Sequence, residues 1–179
     1  MSDVEVREAT VEDIPDILRI GEASWNRAYS DILDDSTIAA AMAEWYTPES
    51  TEEFVEHDDV GYYVAEAGTE VRGYVTGGPS GDDGVAYLGA LYVHPDQWGE
   101  GTGTALVERF EAFCRDEEYD QIELRVLAEN DIGLSFYRQS GYEVVEREQT
   151  ELFGQRVSEC VCRKAIQVSA DSESESDDR

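Results

Sequence analysis

Residues 88–104 read Leu-Gly-Ala-Leu-Tyr-Val-His-Pro-Asp-Gln-Trp-Gly-Glu-Gly-Thr-Gly-Thr. An apolar, strand-like run gives way to a turn at Pro95-Asp96 and then to three alternating glycines, Gly99, Gly101 and Gly103. An amphipathic helical pattern from Ala105 to Phe113 follows at once. Glycines between a strand and a helix let the backbone approach a ligand closely. The start of the helix then offers unpaired N–H groups and the positive end of its dipole to an anion. This stretch therefore predicts a cradle for a pyrophosphate.

The flanking sequence supplies the rest of a fold. Val4–Glu8 alternates as a short strand, and Thr10 offers an N-cap, with Asp13 three residues on, to a helix carrying Ile14, Ile17, Leu18, Gly21 and Trp25. Helices are predicted over Asp34–Trp45 and Pro48–Glu56, then strands over Gly61–Ala67, Val71–Thr76 and Val85–Val93. A helix from about Gly101 to Glu117 leads to a strand at Ile122–Leu127 and a helix at Asp131–Gln139, closed by Ser140-Gly141. Tyr142–Glu148 and Arg156–Val161 pair as a closing hairpin around Phe153-Gly154. The class is α+β, with one domain over residues 1–167. The acidic segment 168–179 has nothing to bury and is expected to be disordered.

The chain has 179 residues, within the usual span of one domain. Its 42 acidic residues against 13 basic ones give a formal charge of −29, and Lys164 is the one lysine. Two causes fit: adaptation to very high salt, where a dense carboxylate surface is screened, or attraction of a cationic partner. Nucleic acid is excluded as a partner, because no basic patch exists to displace counterions from phosphates. The longest apolar run falls well short of the ~18 residues that span a bilayer. Ser2-Asp3-Val4-Glu5 is acidic where a signal peptide needs a basic start, so a cytoplasmic protein is expected. Cys114, Cys160 and Cys162 lack zinc-type spacing and read as buried thiols. No metal is expected.

Three classes of phosphate-binding turn must be told apart. A P-loop needs Lys-Ser/Thr after its last glycine, and here Thr104-Ala105 follows. A Rossmann turn follows the first strand of a βαβ unit, whereas this one lies mid-chain after an antiparallel meander. The third class fits. Residues 93–106, Val-His-Pro-Asp-Gln-Trp-Gly-Glu-Gly-Thr-Gly-Thr-Ala-Leu, resemble the acetyl-CoA-binding segment of the GNAT superfamily of N-acetyltransferases. A second segment stands at the right distance: residues 125–142, Arg-Val-Leu-Ala-Glu-Asn-Asp-Ile-Gly-Leu-Ser-Phe-Tyr-Arg-Gln-Ser-Gly-Tyr, look like the same family's strand, Asn and Phe-Tyr helix. The two together cover about residues 85–145.

The resemblance implies a GNAT-like α/β/α fold with a mixed, mostly antiparallel sheet of about seven strands, splayed at the cofactor site and flanked by about four helices. It implies acetyl-CoA as cosubstrate, with Leu91, Tyr92 and Val93 lying along the pantetheine arm and the Leu91 N–H stabilising the oxyanion. Trp98, Gly99, Glu100, Gly101, Thr102, Gly103 and Thr104 would wrap the pyrophosphate. Asn130 would hold the cofactor arm, or cap the helix that follows. Tyr137 stands where the family places the phenol that protonates the leaving thiolate. Packing of Leu134 and Tyr137 on one helical face is the competing explanation.

Three positions depart from the family pattern. Trp98 stands where Gln or Arg is usual, and Glu100 at a site that is often basic. Arg138 is then the nearest candidate for a CoA phosphate, or else it neutralises neighbouring acids. Tyr87 replaces the glutamate that serves many relatives as general base, which leaves Tyr87 through water, Glu22 or Glu44 as alternatives. His94 is expected to face solvent or cap its turn. The reaction implied is direct attack of a primary amine, small-molecule or peptide, on the thioester through a tetrahedral intermediate, with no cysteine involved. Trp25, Tyr29, Trp45, Tyr46, Tyr62 and Tyr63 line the acceptor region or simply fill a core. The alternative function is a CoA-binding sensor that has lost catalysis. Homodimerisation through the closing hairpin is also compatible with the sequence.

Overall fold

The computed structural model describes residues 4–166, so the tail from Val168 lies outside the described residues. Twelve elements follow in order: β1 (Glu5–Glu8), α1 (Ile14–Tyr29), α2 (Asp35–Trp45), α3 (Pro48–Glu56), β2 (Gly61–Ala67), β3 (Glu70–Pro79), β4 (Val85–Val93), α4 (Thr102–Asp116), β5 (Gln121–Leu127), α5 (Asp131–Gln139), β6 (Glu143–Leu152) and β7 (Gln155–Ala165). The strands form one seven-stranded sheet in the order β1-β2-β3-β4-β5-β7-β6. Every neighbouring pair is antiparallel except β4 and β5. Five α-helices flank the sheet rather than about four. The strands β3, β6 and β7 also run further than their apolar alternation suggested. Their outer residues are held by ladder bonds to neighbours, which a local pattern does not report.

Period-two alternation places a core on each face of the sheet. Tyr63, Ala65, Val75, Ala86 and Leu88 meet Leu106, Val107, Phe110 and Cys114 of α4 on one face. Tyr62, Val64 and Tyr74 meet Ile17 and Ile20 of α1 on the other. A third cluster joins Trp25, Leu33, Ile38 and Ala41 to Leu127 and Val157. It ties α1 and α2 to the far ends of β5 and β7. The Gln155 side chain fastens that junction: its Oε1 accepts from Asp34 N (2.8 Å) and Thr37 Oγ1 (2.9 Å), and its Nε2 donates to the Ile32 carbonyl (3.1 Å).

Two features of β4 position the site. Its parallel pairing with β5 covers Val85–Tyr87 against Gln121–Glu123 and then stops, so the two strands splay apart beyond that point. Opposite β3, Gly77 faces Leu88 while Thr76 faces Ala90, which leaves Gly89 as an extra residue in a β-bulge. The bulge reverses which face each side chain takes. Ala86 and Leu88 point toward α4, and so do Leu91 and Val93, while Ala90 and Tyr92 turn to the α1 face.

Candidate active site

The opened edge of β4 is a row of backbone donors and acceptors. The His94 N–H bonds to the Arg72 carbonyl (2.9 Å). Hydrogen-bonded pairs alternate along an antiparallel ladder, so Tyr92 and Ala90 also spend their main-chain groups on β3. Leu91 and Val93 therefore direct theirs into the splay, where β5 no longer pairs. The Val93 carbonyl is already occupied: it accepts from the indole Nε1 of Trp98 (2.7 Å) and from Ser24 Oγ (3.1 Å). The Leu91 N–H faces the gap.

At the end of this strand the chain turns through Gly99 and Gly101, whose φ values of 84° and 88° lie in the left-handed region. That conformation, rather than lack of space, demands glycine there, since a Cβ at either would meet nothing within 4 Å. Gly103 is different, because a Cβ there would sit 3.2 Å from the ring of Phe136. Gly101 caps α4, and the first helical bond runs from Ala105 N to the Gly101 carbonyl (3.1 Å). The N–H groups of Thr102, Gly103 and Thr104 are thus left without helical acceptors. Thr102 is buried at 1 % exposure, yet its Oγ1 has no hydrogen-bond partner among the described residues. No acid occupies the first turn of α4, in a chain with 42 of them.

A cavity of about 630 Å³ joins these parts, running from the α4 cradle along Leu88–Val93 to the splay. Leu124, Arg125 and Val126 of β5, Asn130, and Phe136 and Tyr137 of α5 form its other wall, and Ser24, Arg27, Tyr29 and Asp31 close it from the side of α1. The Tyr137 ring stands edge-on to Phe136 (5.2 Å) and Tyr142 (5.8 Å). Its hydroxyl makes no hydrogen bond among the described residues. Burial is the first cause that pushes its pKa well above the ordinary phenol value, so the group stays protonated. Asn130 Oδ1 accepts from Gly133 N (3.0 Å), so its capping role is realised while the residue also lines the cavity. His94 likewise caps its turn, accepting from Asp96 N at Nδ1 (3.2 Å).

The matching family model is that of the acetyltransferase (GNAT) family, over residues 25–142. The chain belongs to this family. It is an acetyltransferase. An acetyltransferase of Sodalis glossinidius is 36% identical over 119 residues, covering 66% of this chain and 81% of that protein. Two solved folds are similar at lower identity. The PaiA N-acetyltransferase of Thermoplasma acidophilum, crystallised with coenzyme A, superposes with a TM-score of 0.79 at 22% identity over 91% of this chain and 99% of its own. The ribosomal-protein-alanine N-acetyltransferase of Brucella melitensis gives 0.72 at 23% identity over 90% and 99%.

Within this acetyltransferase the structure gathers most of the residues singled out in the sequence and disperses a few. Leu91, Tyr92, Val93, Trp98, Gly99, Gly101, Thr102, Gly103, Thr104, Asn130 and Tyr137 all line the cavity. Glu100 is not on its wall and lies 3.5 Å from Arg72 Nη1. Arg138 is exposed on α5, also off the wall. Tyr87 precedes the bulge and is absent from the wall, and burial raises its phenol pKa, which makes it a worse base than a free tyrosine. The corrections extend to Glu22 and Glu44, both exposed and outside the cavity. Asp31 is the carboxylate on the wall. Sequence reasoning missed it because it lies in the loop after α1, one acid among 42. Cys114, Cys160 and Cys162 are buried free thiols, and burial pushes Cys114 up to about 12. No helix among the described residues is long and apolar enough to cross a membrane.

Proposed function

We propose that this acetyltransferase carries the acetyl group of acetyl-CoA to a primary amine by direct attack, with no covalent enzyme intermediate. The carrying observation is the splay between β4 and β5: it turns the Leu91 N–H into a cavity whose far end is the unpaired amide cradle of α4. The residues present suit an acyl-CoA. Among the described residues, Thr102 Oγ1 is a buried polar group lacking a partner, three N–H groups have no helical acceptor, and no acid occupies the first turn of α4. A helix start of this kind is a ready-made site for an anion. When bound, acetyl-CoA supplies the thioester to be cleaved.

The chain's own groups do the rest. The Leu91 N–H donates to the oxygen that gains negative charge when the amine adds, and a preorganised donor of this kind is worth several kcal/mol. Tyr137 gives its proton to the departing sulfur, and its phenolate recovers one from the nitrogen, which sheds its extra proton as the amide forms. Its raised pKa keeps that proton available, and the phenol lies on the same wall of the cavity. Asn130 faces the arm of the substrate with the part of its amide not used in capping. Asp31 takes the proton released by the ammonium form of the acceptor. The high net negative charge favours cationic acceptors approaching this rim.

The test is calorimetric titration with coenzyme A at multimolar KCl, followed by thiol release from acetyl-CoA over a panel of amines. Binding together with turnover on at least one amine supports the reading. Binding without turnover on any amine supports the sensor instead. Absence of binding overturns both.

A further inference from the structure

We infer that Arg27 of α1 supplies the positive charge on the diphosphate that the glycine turn itself lacks. This rests on the acyl-CoA reading above and adds a residue to it. At the two turn positions where a cation would serve, the chain carries Trp98 and Glu100. The amides of α4 can bind a diphosphate, but they leave most of its charge uncompensated. The structure fills the gap from outside the turn.

Two cations stand on the cavity wall, Arg27 and Arg125. Arg125 is committed to carboxylates: Glu148 at 2.6 Å, Glu159 at 3.6 Å and Glu123 at 3.9 Å. Arg27 makes no ion pair with any carboxylate among the described residues, in a chain with 42 acids to choose from. Its guanidinium instead lies over the Trp98 ring, 5.7 Å from the centroid. That ring is fixed, because its Nε1 donates to the Val93 carbonyl (2.7 Å). The same carbonyl receives Ser24 Oγ (3.1 Å), three residues before Arg27 and on the same face of α1. One carbonyl thus locks both the helix that carries the arginine and the indole on which it rests. Trp98 directly precedes Gly99, so the guanidinium is parked beside the turn that leads into the N-terminus of α4. The tryptophan thereby becomes the platform for a cation brought from α1, and an arginine suits it because its planar fork both stacks on an indole and pairs with phosphate oxygens.

The experiment compares donors with and without a diphosphate. Coenzyme A affinity is measured by calorimetry for the wild type, Arg27→Gln and Arg27→Lys, and kcat/KM is measured for acetyl-CoA and for S-acetylpantetheine. Arg27→Gln is expected to weaken coenzyme A by about tenfold at low salt, from loss of one charge-assisted contact. The deficit shrinks in multimolar KCl as the exposed charge is screened. Its kcat/KM falls on acetyl-CoA and holds on S-acetylpantetheine, while Arg27→Lys recovers part of the loss. Unchanged coenzyme A affinity in Arg27→Gln overturns the assignment, as does an equal loss on both donors or an effect confined to the KM of the amine. Failure of the wild type to bind coenzyme A would instead bring down the acyl-CoA reading itself.

Discussion

Replacing Tyr137 with Phe separates chemistry from packing in one substitution. The variant deletes a single oxygen and keeps the ring that meets Phe136 at 5.2 Å and Tyr142 at 5.8 Å. That oxygen has no hydrogen-bond partner among the described residues, so its loss strands no buried donor or acceptor. The stability change should stay within about 0.5 kcal/mol. For a chain of this length that is about 1–2 °C in the melting temperature. The catalytic effect is of another order. A general acid at the leaving group is worth about 10²–10⁴ in rate, or about 3–5 kcal/mol of barrier. Steady-state thiol release should therefore show kcat falling at least a hundredfold with coenzyme A affinity unchanged. The pH dependence adds a check. An acid works in its protonated form, and burial moves the Tyr137 pKa upward, so alkaline loss of this proton begins above the ordinary phenol range. The wild type should show no decline assignable to Tyr137 below about pH 10. An unchanged kcat in the Phe variant would refute the assignment and return Tyr137 to the core.

Three other perturbations follow from the structure. Lys164→Met removes the ammonium that binds Glu111 (3.0 and 3.2 Å) and the Ser140 carbonyl at the end of α5 (2.8 Å). Glu111, 4 % exposed, is left to the Tyr142 hydroxyl (3.1 Å) and a distant Arg115, a loss of about 2–4 kcal/mol that thermal unfolding should show and that an added Glu111→Leu should largely reverse. Gly101→Ala imposes about 1–2 kcal/mol of left-handed strain and should weaken coenzyme A as well, whereas Gly68→Ala, also at positive φ (65°) but remote from the cavity, should cost stability alone. Asp13 is held below its ordinary value of 3.8, first by hydrogen bonds from Arg7 (2.9 Å each), so its contribution is complete above that value and is lost as pH falls through the depressed one. Asp13→Asn should lower the melting temperature at pH 7 and flatten its acid dependence below pH ~4, and an unaltered acid limb would refute the linkage.

The cradle was legible because everything it needs is local. A strand, glycines at positions that require positive φ and an amphipathic helix all fall within about 25 consecutive residues, each specified by near neighbours. The helices and the β2–β3–β4 meander were legible for the same reason, through periods of 3.6 and 2. The Gly89 bulge was not. Val85–Val93 alternates well enough as a plain strand, and the extra residue exists only against the register of β3. Without it, Leu91 and Ala90 would exchange faces, and a different amide would face the splay.

Other corrections share this origin. Tyr87 stood as one alternative for the base, through water, because of its place in the strand, but it lies before the bulge and off the cavity wall. Asp31 and Arg27 looked like two more charges on a charged chain until the packing of α1 over the end of β4 set them at the rim. The sequence by itself determined which segments are helix or strand and where an anion can be gripped by backbone amides, since those depend on dihedral preference and short-range periodicity. Only the tertiary structure decided which side chains stand around that turn, because register, bulge and helix docking are set by partners that meet only on assembly, as Gly77 and Leu88 do across the β3–β4 pair and as Ser24 and Val93 do, 69 residues apart.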